Sequence, residues 1–392
     1  MGETLTGFEY GLNTPATDYD GINKYLRITD IDDVSHKFDI SHLTSPKLKD
    51  DNYLLANGDI LFARTGASVG KSYRYSNIDG KVYYAGFLIK AHIKDYFSTN
   101  FIFDTTLLPR YHYFVQVTSM RSGQPGINAK EYQKYIIYTP SENEQNKISD
   151  LILTIQKLID LQQRKLKQLK RLKTAMLQQL FVEKNSKLPI LRFKNFNGNW
   201  EKRKFSELAT IRRGLTYKPK DVRDSGKNSK RVLRSSNINE NSFVIYNDDV
   251  FVDKSSINIA YVHNNDILIT AANGSSKLVG KHALIHDIPD NSAVHGGFML
   301  LASSNNPEFI NALMSSPWYS RFVNNYVIGG NGAIGNLKKD DLDSQIIYTP
   351  AKNEIKKIGH FFNRLDNFIT HQQNKLTQLT TLKKYLLQKL FI

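Results

Sequence analysis

The chain repeats itself at an offset of 210 residues. Residues 136–148, IIYTPSENEQNKI, return as residues 346–358, IIYTPAKNEIKKI. The match runs on from QQRKLKQLKRLKTAMLQQLF to QQNKLTQLTTLKKYLLQKLF, and 22 of 46 positions are identical between residues 136–181 and 346–391 without a gap. Such a repeat means two copies of one module, each a globular part followed by a long helix. Two copies in one chain imply approximate internal two-fold symmetry, suited to a two-part target or to two copies of one partner.

The helical half of the module is the plainer one. From Glu142 onward, Ile148, Leu151, Ile152, Ile155, Leu158, Ile159, Leu166, Leu169 and Leu172 recur at three- and four-residue steps, with no Gly or Pro between residues 141 and 187. This predicts one amphipathic helix of about forty residues, roughly 60 Å long. The second copy predicts its twin through Ile355, Ile358, Phe362, Leu365, Ile369, Leu376, Leu379 and Leu382. The simplest partner for each helix is the other, in an antiparallel coiled coil. The expected pairing residues are Ile155, Leu158, Leu166, Leu169, Leu172, Leu365, Leu376, Leu379 and Leu382. Gln162–Gln163 and Gln372–Gln373 interrupt the apolar pattern at equivalent places, either as a buried polar layer that fixes register or on an exposed face.

The globular parts read as strand-rich and mixed, so the fold class is α+β. Short β-type runs such as KYLRITDI, NGDILFAR, KVYYAGFLIKAHI and YQKYIIYTP alternate with Gly, Asn and Asp. The expected boundaries are a first domain at 1–141, its helix at 142–184, a linker at 185–199, a second domain at 200–350 and its helix at 351–392. The two domains correspond loosely. YLRITDI matches VLRSSNI, aligning Arg27 with Arg234; NGDILFARTGASVGK matches NNDILITAANGSSKLVGK; AGFLI matches GGFML; and SGQPGIN sits where IGGNGAIGN sits. The scaffold repeats while the loops diverge, as two readers of different sequences on one framework would.

Charge narrows the partner. The formal net charge is +16, and residues 202–234 hold twelve Lys/Arg against three acids. Polyanions are the natural partners. Gly214, Pro219 and Gly226 interrupt that basic stretch, which argues for strand and loop rather than a membrane-surface helix, so nucleic acid is favoured over membrane. The absence of cysteine excludes disulfides and thiolate chemistry and suits a reducing cytoplasm.

Several motifs tempt and fail. TGASVGKS places three residues, not four, between Gly66 and Gly70-Lys71-Ser72, and the second copy places five between Gly274 and Gly280, so neither is a nucleotide-binding loop. The better reading is a Gly-rich turn that carries Arg64, Thr65, Ser68 and Lys71 towards a partner, with Lys and backbone N–H groups suited to DNA phosphates. His282 and His286 lack a third metal ligand, and NNPEF at residues 305–309 reads as a helix start. Catalytic, cofactor-binding and metal-binding residues are therefore expected to be none.

Two variable domains, each closing on IIYTP and a Gln/Lys/Leu-rich helix ending in LLQQLF or LLQKLF, together with LPILRFKNFNGNW, the GDILF/NDILI strands and GQPGIN, resemble the specificity subunit of type I restriction–modification systems. The resemblance covers essentially the whole chain, although the first domain has no counterpart of LPILRFKNFNGNWEKRKF. It implies two target recognition domains, each reading half of a split, asymmetric DNA sequence, with the paired helices as spacer. It implies docking of two modification subunits that carry S-adenosylmethionine, joined by two restriction subunits that use ATP and Mg²⁺, and no catalysis in this chain. Under that resemblance Lys71, Arg212, Lys218 and Lys281 are expected at phosphates. Arg64, Arg121 and Gln124 in the first domain, and Asn273, Ser275, Lys277 and Asn331 in the second, are expected at base edges. A standalone two-headed DNA-binding or architectural protein is the alternative.

Overall fold

The computed structural model describes residues 1–182, 186–327 and 335–391. Asn331, and residues 183–185 where the first helix was expected to end and the linker to begin, lie outside these. The chain divides into two compact units, Met1–Gln163 with Lys375–Ile392, and Arg164–Asn374. The division cuts both long helices, Glu142–Leu180 and Lys352–Leu390. Each unit therefore holds one globular domain, half of one helix and half of the other.

Each domain is built on a four-stranded antiparallel sheet of the same order. In the first unit the order is Leu5–Tyr10, Leu88–Ile93, Asp59–Ala63, Ser72–Arg74, and in the second it is Thr210–Arg213, Met299–Ser303, Ile267–Thr270, His282–Leu284. The strands DILFA and ILIT are buried along their whole length, which explains their near-continuous apolar runs. The segment around Pro109 splits into two helices, Thr99–Thr105 and Pro109–Thr118, because proline starts the second and cannot continue the first. The other face of the domain carries a parallel pair, Lys24–Leu26 with Val82–Tyr84 in the first unit and Ser229–Leu233 with Ala293–His295 in the second.

Within each unit the two helix segments run antiparallel. In the first, Ile148 and Ile152 share a core with Leu387 and Phe391, and Lys383 Nζ donates to Gln156 Oε1 at 2.8 Å. In the second, Leu177, Leu180 and Phe181 share a core with Ile358 and Phe362, and Lys173 pairs with Asp366 at 2.5 Å. Lys173 and Lys383 are 210 residues apart, as are Gln156 and Asp366, so the polar contact is repeated with the module. Gln162 and Gln372 are 6% and 5% exposed and occupy the buried stripe, whereas Gln163 and Gln373 face outward.

Three expected pairing residues are corrected. Leu158, Leu172 and Leu382 are 45%, 48% and 44% exposed and lie on the outer face. The buried stripe steps through Ile148, Ile152, Ile155, Ile159, Gln162 and Leu166. Leu158 precedes Ile159 by one residue, about 100° around the helix. Leu172 and Leu382 likewise precede Lys173 and Lys383, whose partnered ammonium groups face inward. Ile155 and Leu166 are buried, and Leu169, Leu365, Leu376 and Leu379 are half-buried.

The copies differ at the entrance to the long helices. In the second unit Ile346–Thr349 pairs with Glu201–Lys204, and Arg192 grips the buried Glu354 through Nε and Nη2 at 2.8 and 2.7 Å. Among the described residues the first copy shows neither contact. There IIYTP forms no strand, Ile136 and Tyr138 are each 67% exposed, and Glu144, the equivalent of Glu354, faces solvent.

Candidate nucleic-acid interface

Three loops meet at one end of each sheet and are tied together by backbone hydrogen bonds. In the first unit Thr65 bridges Gly126, Gly66 N donates to Pro125 O at 3.0 Å, and Ile127 N donates to Arg64 O at 2.9 Å. Arg64 N in turn donates to Phe87 O at 3.0 Å, adding the tight turn at residues 85–88. In the second unit Ala272–Asn273 pairs with Gly335–Asn336, and Leu337 N donates to Ala271 O at 2.7 Å. Ala271 N and Ala272 N both donate to Phe298 O. The backbone apparatus is the same in the two copies while the side chains on it differ.

The glycines of the turn that imitates a phosphate loop have a steric purpose. Gly70 and Gly280 lie at φ +85° and +83°, and a Cβ on either would sit 2.4 or 2.6 Å from a methyl of Val115 or Val323. The turn must press against a helix in a left-handed conformation, which only glycine does without strain. The motif is thus a packing device in both copies.

The expected contact residues separate into two groups. Arg64, Thr65 and Gln124 are brought together: the Arg64 guanidinium lies 4.8 Å over the Tyr10 ring, and Gln124 flanks Gly66. Arg121 is exposed and paired with Glu131 at 2.5 Å, and Ser68 is half-buried. In the second unit Asn273 donates to Ser235 Oγ at 3.1 Å and accepts from Ser275 N at 2.9 Å. It lines a cleft with Arg234, Ser235, Tyr217 and Phe298. Ser275, Lys277 and Lys218 are exposed, and Lys281 is half-buried.

Lys71 and Arg212 are committed to the fold. Lys71 Nζ donates to Ile31 O at 2.9 Å and pairs with Asp33 at 2.5 Å, its side chain 12% exposed. Arg212 pairs with Asp266 at 3.2 Å and reaches Ser303 Oγ at 3.3 Å. Arg27 likewise forks onto Asp30 through Nε and Nη2, both at 2.9 Å, while its equivalent Arg234 is exposed. Lys71→Glu should therefore lower thermal stability, since the Ile31 carbonyl loses its donor and meets a carboxylate, at a cost of about 1–3 kcal/mol. A wild-type melting temperature for this variant would refute the inward role.

Tyr10, Tyr217, Phe87 and Phe298 also lie at these loops, where charge and motif alone do not single them out. The AGFLI/GGFML match held the signal for the last two, as an aromatic kept at one place in two otherwise diverged loops. His282 is buried, with Nε2 near Asn311 O and Ser315 Oγ, and His286 is exposed beside Asp287, so the two do not converge. Among the described residues no group of three or more His, Asp or Glu side chains could hold a metal ion, and no helix is long and apolar enough to cross a membrane.

Fold and loops together define a two-domain, helix-paired protein with one variable loop cluster per domain. The chain belongs to the family described as the type I restriction modification DNA specificity domain, which matches residues 13–171 and 197–381. It is 26% identical over 195 residues to the type I restriction enzyme EcoKI specificity subunit of Escherichia coli K12, an alignment covering 47% of this chain and 41% of that protein. In structure it is similar to the S subunit of the type I restriction–modification system from M. genitalium, with a TM-score of 0.67 and 14% identity over 100% of this chain and 95% of that one. A second similar structure, described in connection with complex assembly and conformational transition of the type I R-M system, has a TM-score of 0.52 and 14% identity over 99% and 98% of the two chains.

Proposed function

We propose that this chain is the sequence-reading subunit of a type I restriction–modification enzyme, and that each domain reads one half of a bipartite, asymmetric DNA target. The observation that carries this is the repeated three-loop apparatus, one scaffold bearing different side chains in its two copies. In the first copy Arg64, Thr65 and Gln124 supply the reading groups, and in the second Asn273, Ser275 and Lys277. Arg is suited to guanine, and Asn and Gln to adenine, in the major groove. Exposed Lys218 and the basic stretch around it supply phosphate contacts. Each 39-residue helix spans about 58 Å, enough to hold two readers at half-sites one helical turn, roughly 34 Å, apart.

The helices also dock two modification subunits. The support is their outward apolar residues, Leu151, Leu158, Leu161, Leu172 and Leu382, each at least 44% exposed, of the kind that mark partner surfaces. Adenine methylation with S-adenosylmethionine, and ATP- and Mg²⁺-dependent restriction by two further subunits, belong to those partners, in the cytoplasm.

The test is co-expression with a cognate modification subunit in a host free of other adenine methylation, followed by genome-wide mapping of modified adenines. A split, two-part motif is expected. No new methylation from a complex that forms and binds DNA would overturn the reading. Tight sequence-specific binding by the chain alone, with no modification subunit engaged, would point to a standalone two-headed binder.

A further inference from the structure

Phe87 and Phe298 are the third residues of two equivalent tight turns, residues 85–88 and 296–299. Each turn is closed by a hydrogen bond of 2.8 Å, from Leu88 N to Ala85 O and from Met299 N to Gly296 O. Each is braced by a parallel bridge at its first residue, Leu12 to Ala85 and Leu215 to Gly296. The bracing strand approaches so closely that only glycine fits beside it. A Cβ on Gly11 would lie 2.2 Å from Ala85 O, and one on Gly214 would lie 1.9 Å from Gly296 O. The carbonyl of each phenylalanine is held by the neighbouring reading loop, through Arg64 N in one copy and through Ala271 N and Ala272 N in the other.

The backbone is thus locked, yet the rings are left out of the core. Phe87 is 60% exposed and Phe298 is 74% exposed. A single exposed phenylalanine needs no explanation. Two of them, at one position of a clamped turn and beside the residues assigned to base reading, are different. The loops around them have diverged in length and composition, so packing does not account for the identity. An aromatic ring carried on a clamped, solvent-facing turn is a partly preorganised stacking surface, because the backbone needs no further ordering on binding.

We propose that Phe87 and Phe298 are wedge residues, each entering the base stack of one DNA half-site. This rests on the function proposed above. Chemistry on a base requires its extrusion from the duplex, and apolar side chains inserted at a base step are a known physical means of unstacking it. The loop side chains would then distinguish sequences, while the common ring opens the step beside the modified adenine in either half.

The experiment uses the full chain in complex with its modification subunit, on the target mapped for the wild type. Duplexes carry 2-aminopurine at single positions beside, not at, the modified adenine of each half. Wild type should raise its fluorescence at one step per half. Phe87→Ala should abolish the rise in one half only and Phe298→Ala in the other, each weakening binding by about 5- to 150-fold, the range for loss of one aromatic–base stack. Relative to alanine, Phe→Trp should restore both signals, whereas Phe→Leu should restore the fluorescence but less of the affinity, since an apolar side chain of either shape wedges a step and only an aromatic one stacks. Thermal stability should be unchanged in all variants, since the rings pack against little. Weakened binding with unchanged fluorescence would overturn the wedge and leave a groove contact. A wild type that yields no methylated motif would instead overturn the functional reading on which the wedge rests.

Discussion

Phe181→Ala is expected to lower the stability of the second unit by about 3–5 kcal/mol. The Phe181 ring is 3% exposed and lies 5.6 Å from the Phe309 ring and 5.9 Å from the Phe362 ring. These rings come from the exit of the first long helix, from the short helix Pro307–Met314 of the globular domain, and from the second long helix. Three elements with separate anchors meet at one point and cannot collapse together into the space left behind, so the cavity persists and the cost falls at the upper end for a lost aromatic. Trp200 and Trp318, the only tryptophans, both lie in this unit, so their fluorescence during urea unfolding isolates it. A midpoint displaced by the equivalent of less than about 1 kcal/mol would show that the aromatic junction is not what joins the helices to the domain.

The same junction shows which features the sequence made legible. Phe391, the 210-residue counterpart of Phe181, stacks on Phe101 at 4.7 Å, so an aromatic closing each helix could be anticipated from the repeat alone. The long helices and the buried strands DILFA and ILIT were equally readable, because their signals are local: a three- to four-residue step in one case, a short apolar run between turns in the other. What escaped was settled by residues distant in the chain. Lys173 and Lys383 face inward because Asp366 and Gln156 come to meet them, so the leucine before each is turned outward. Lys71 points inward because Ile31 and Asp33 lie beneath it, and Arg212 because Asp266 does. A lysine or arginine has the same letter whether it meets a phosphate or a carbonyl. The IIYTP segment is a strand in the second copy, where residues 201–204 pair with it, and not in the first, because pairing depends on a distant segment rather than on the five letters themselves. The loop cluster was approachable through Arg64, Thr65 and Gln124, but not the exposure of Phe87 and Phe298, which depends on a turn clamped by a glycine some seventy to eighty residues away.

Acidification from pH 6.5 to pH 4 is expected to destabilise the second unit, through two buried histidines. Burial pushes His282 and His295 down to about 4 from an ordinary value of 6.5. Hydrogen bonds to backbone carbonyls, of Gly280 and Asn311 for His282 and of Arg212 for His295, oppose the burial without overcoming it; the Lys173 and Arg212 charges add to it, and Asp266 opposes it at His295. Because the folded state holds both rings neutral, the unfolded chain binds more protons throughout this window. Stability is therefore complete above the unfolded value and falls as pH drops towards the folded one, by about 3 kcal/mol per histidine over the full window. Asp366, raised by burial in the same unit, works in the opposite direction and softens the slope. The first unit contains a clearer opposite case: burial lifts Asp104 to about 7 against the pull of Lys383 and Arg74, so its contribution grows as pH falls below that value. Tryptophan-detected urea midpoints, taken from pH 7.5 to pH 4.5, should decline steeply for wild type. His282→Gln with His295→Asn should start lower at pH 7.5, having lost buried packing, and then decline much less. Parallel slopes for wild type and double variant would place the acid sensitivity outside these two rings.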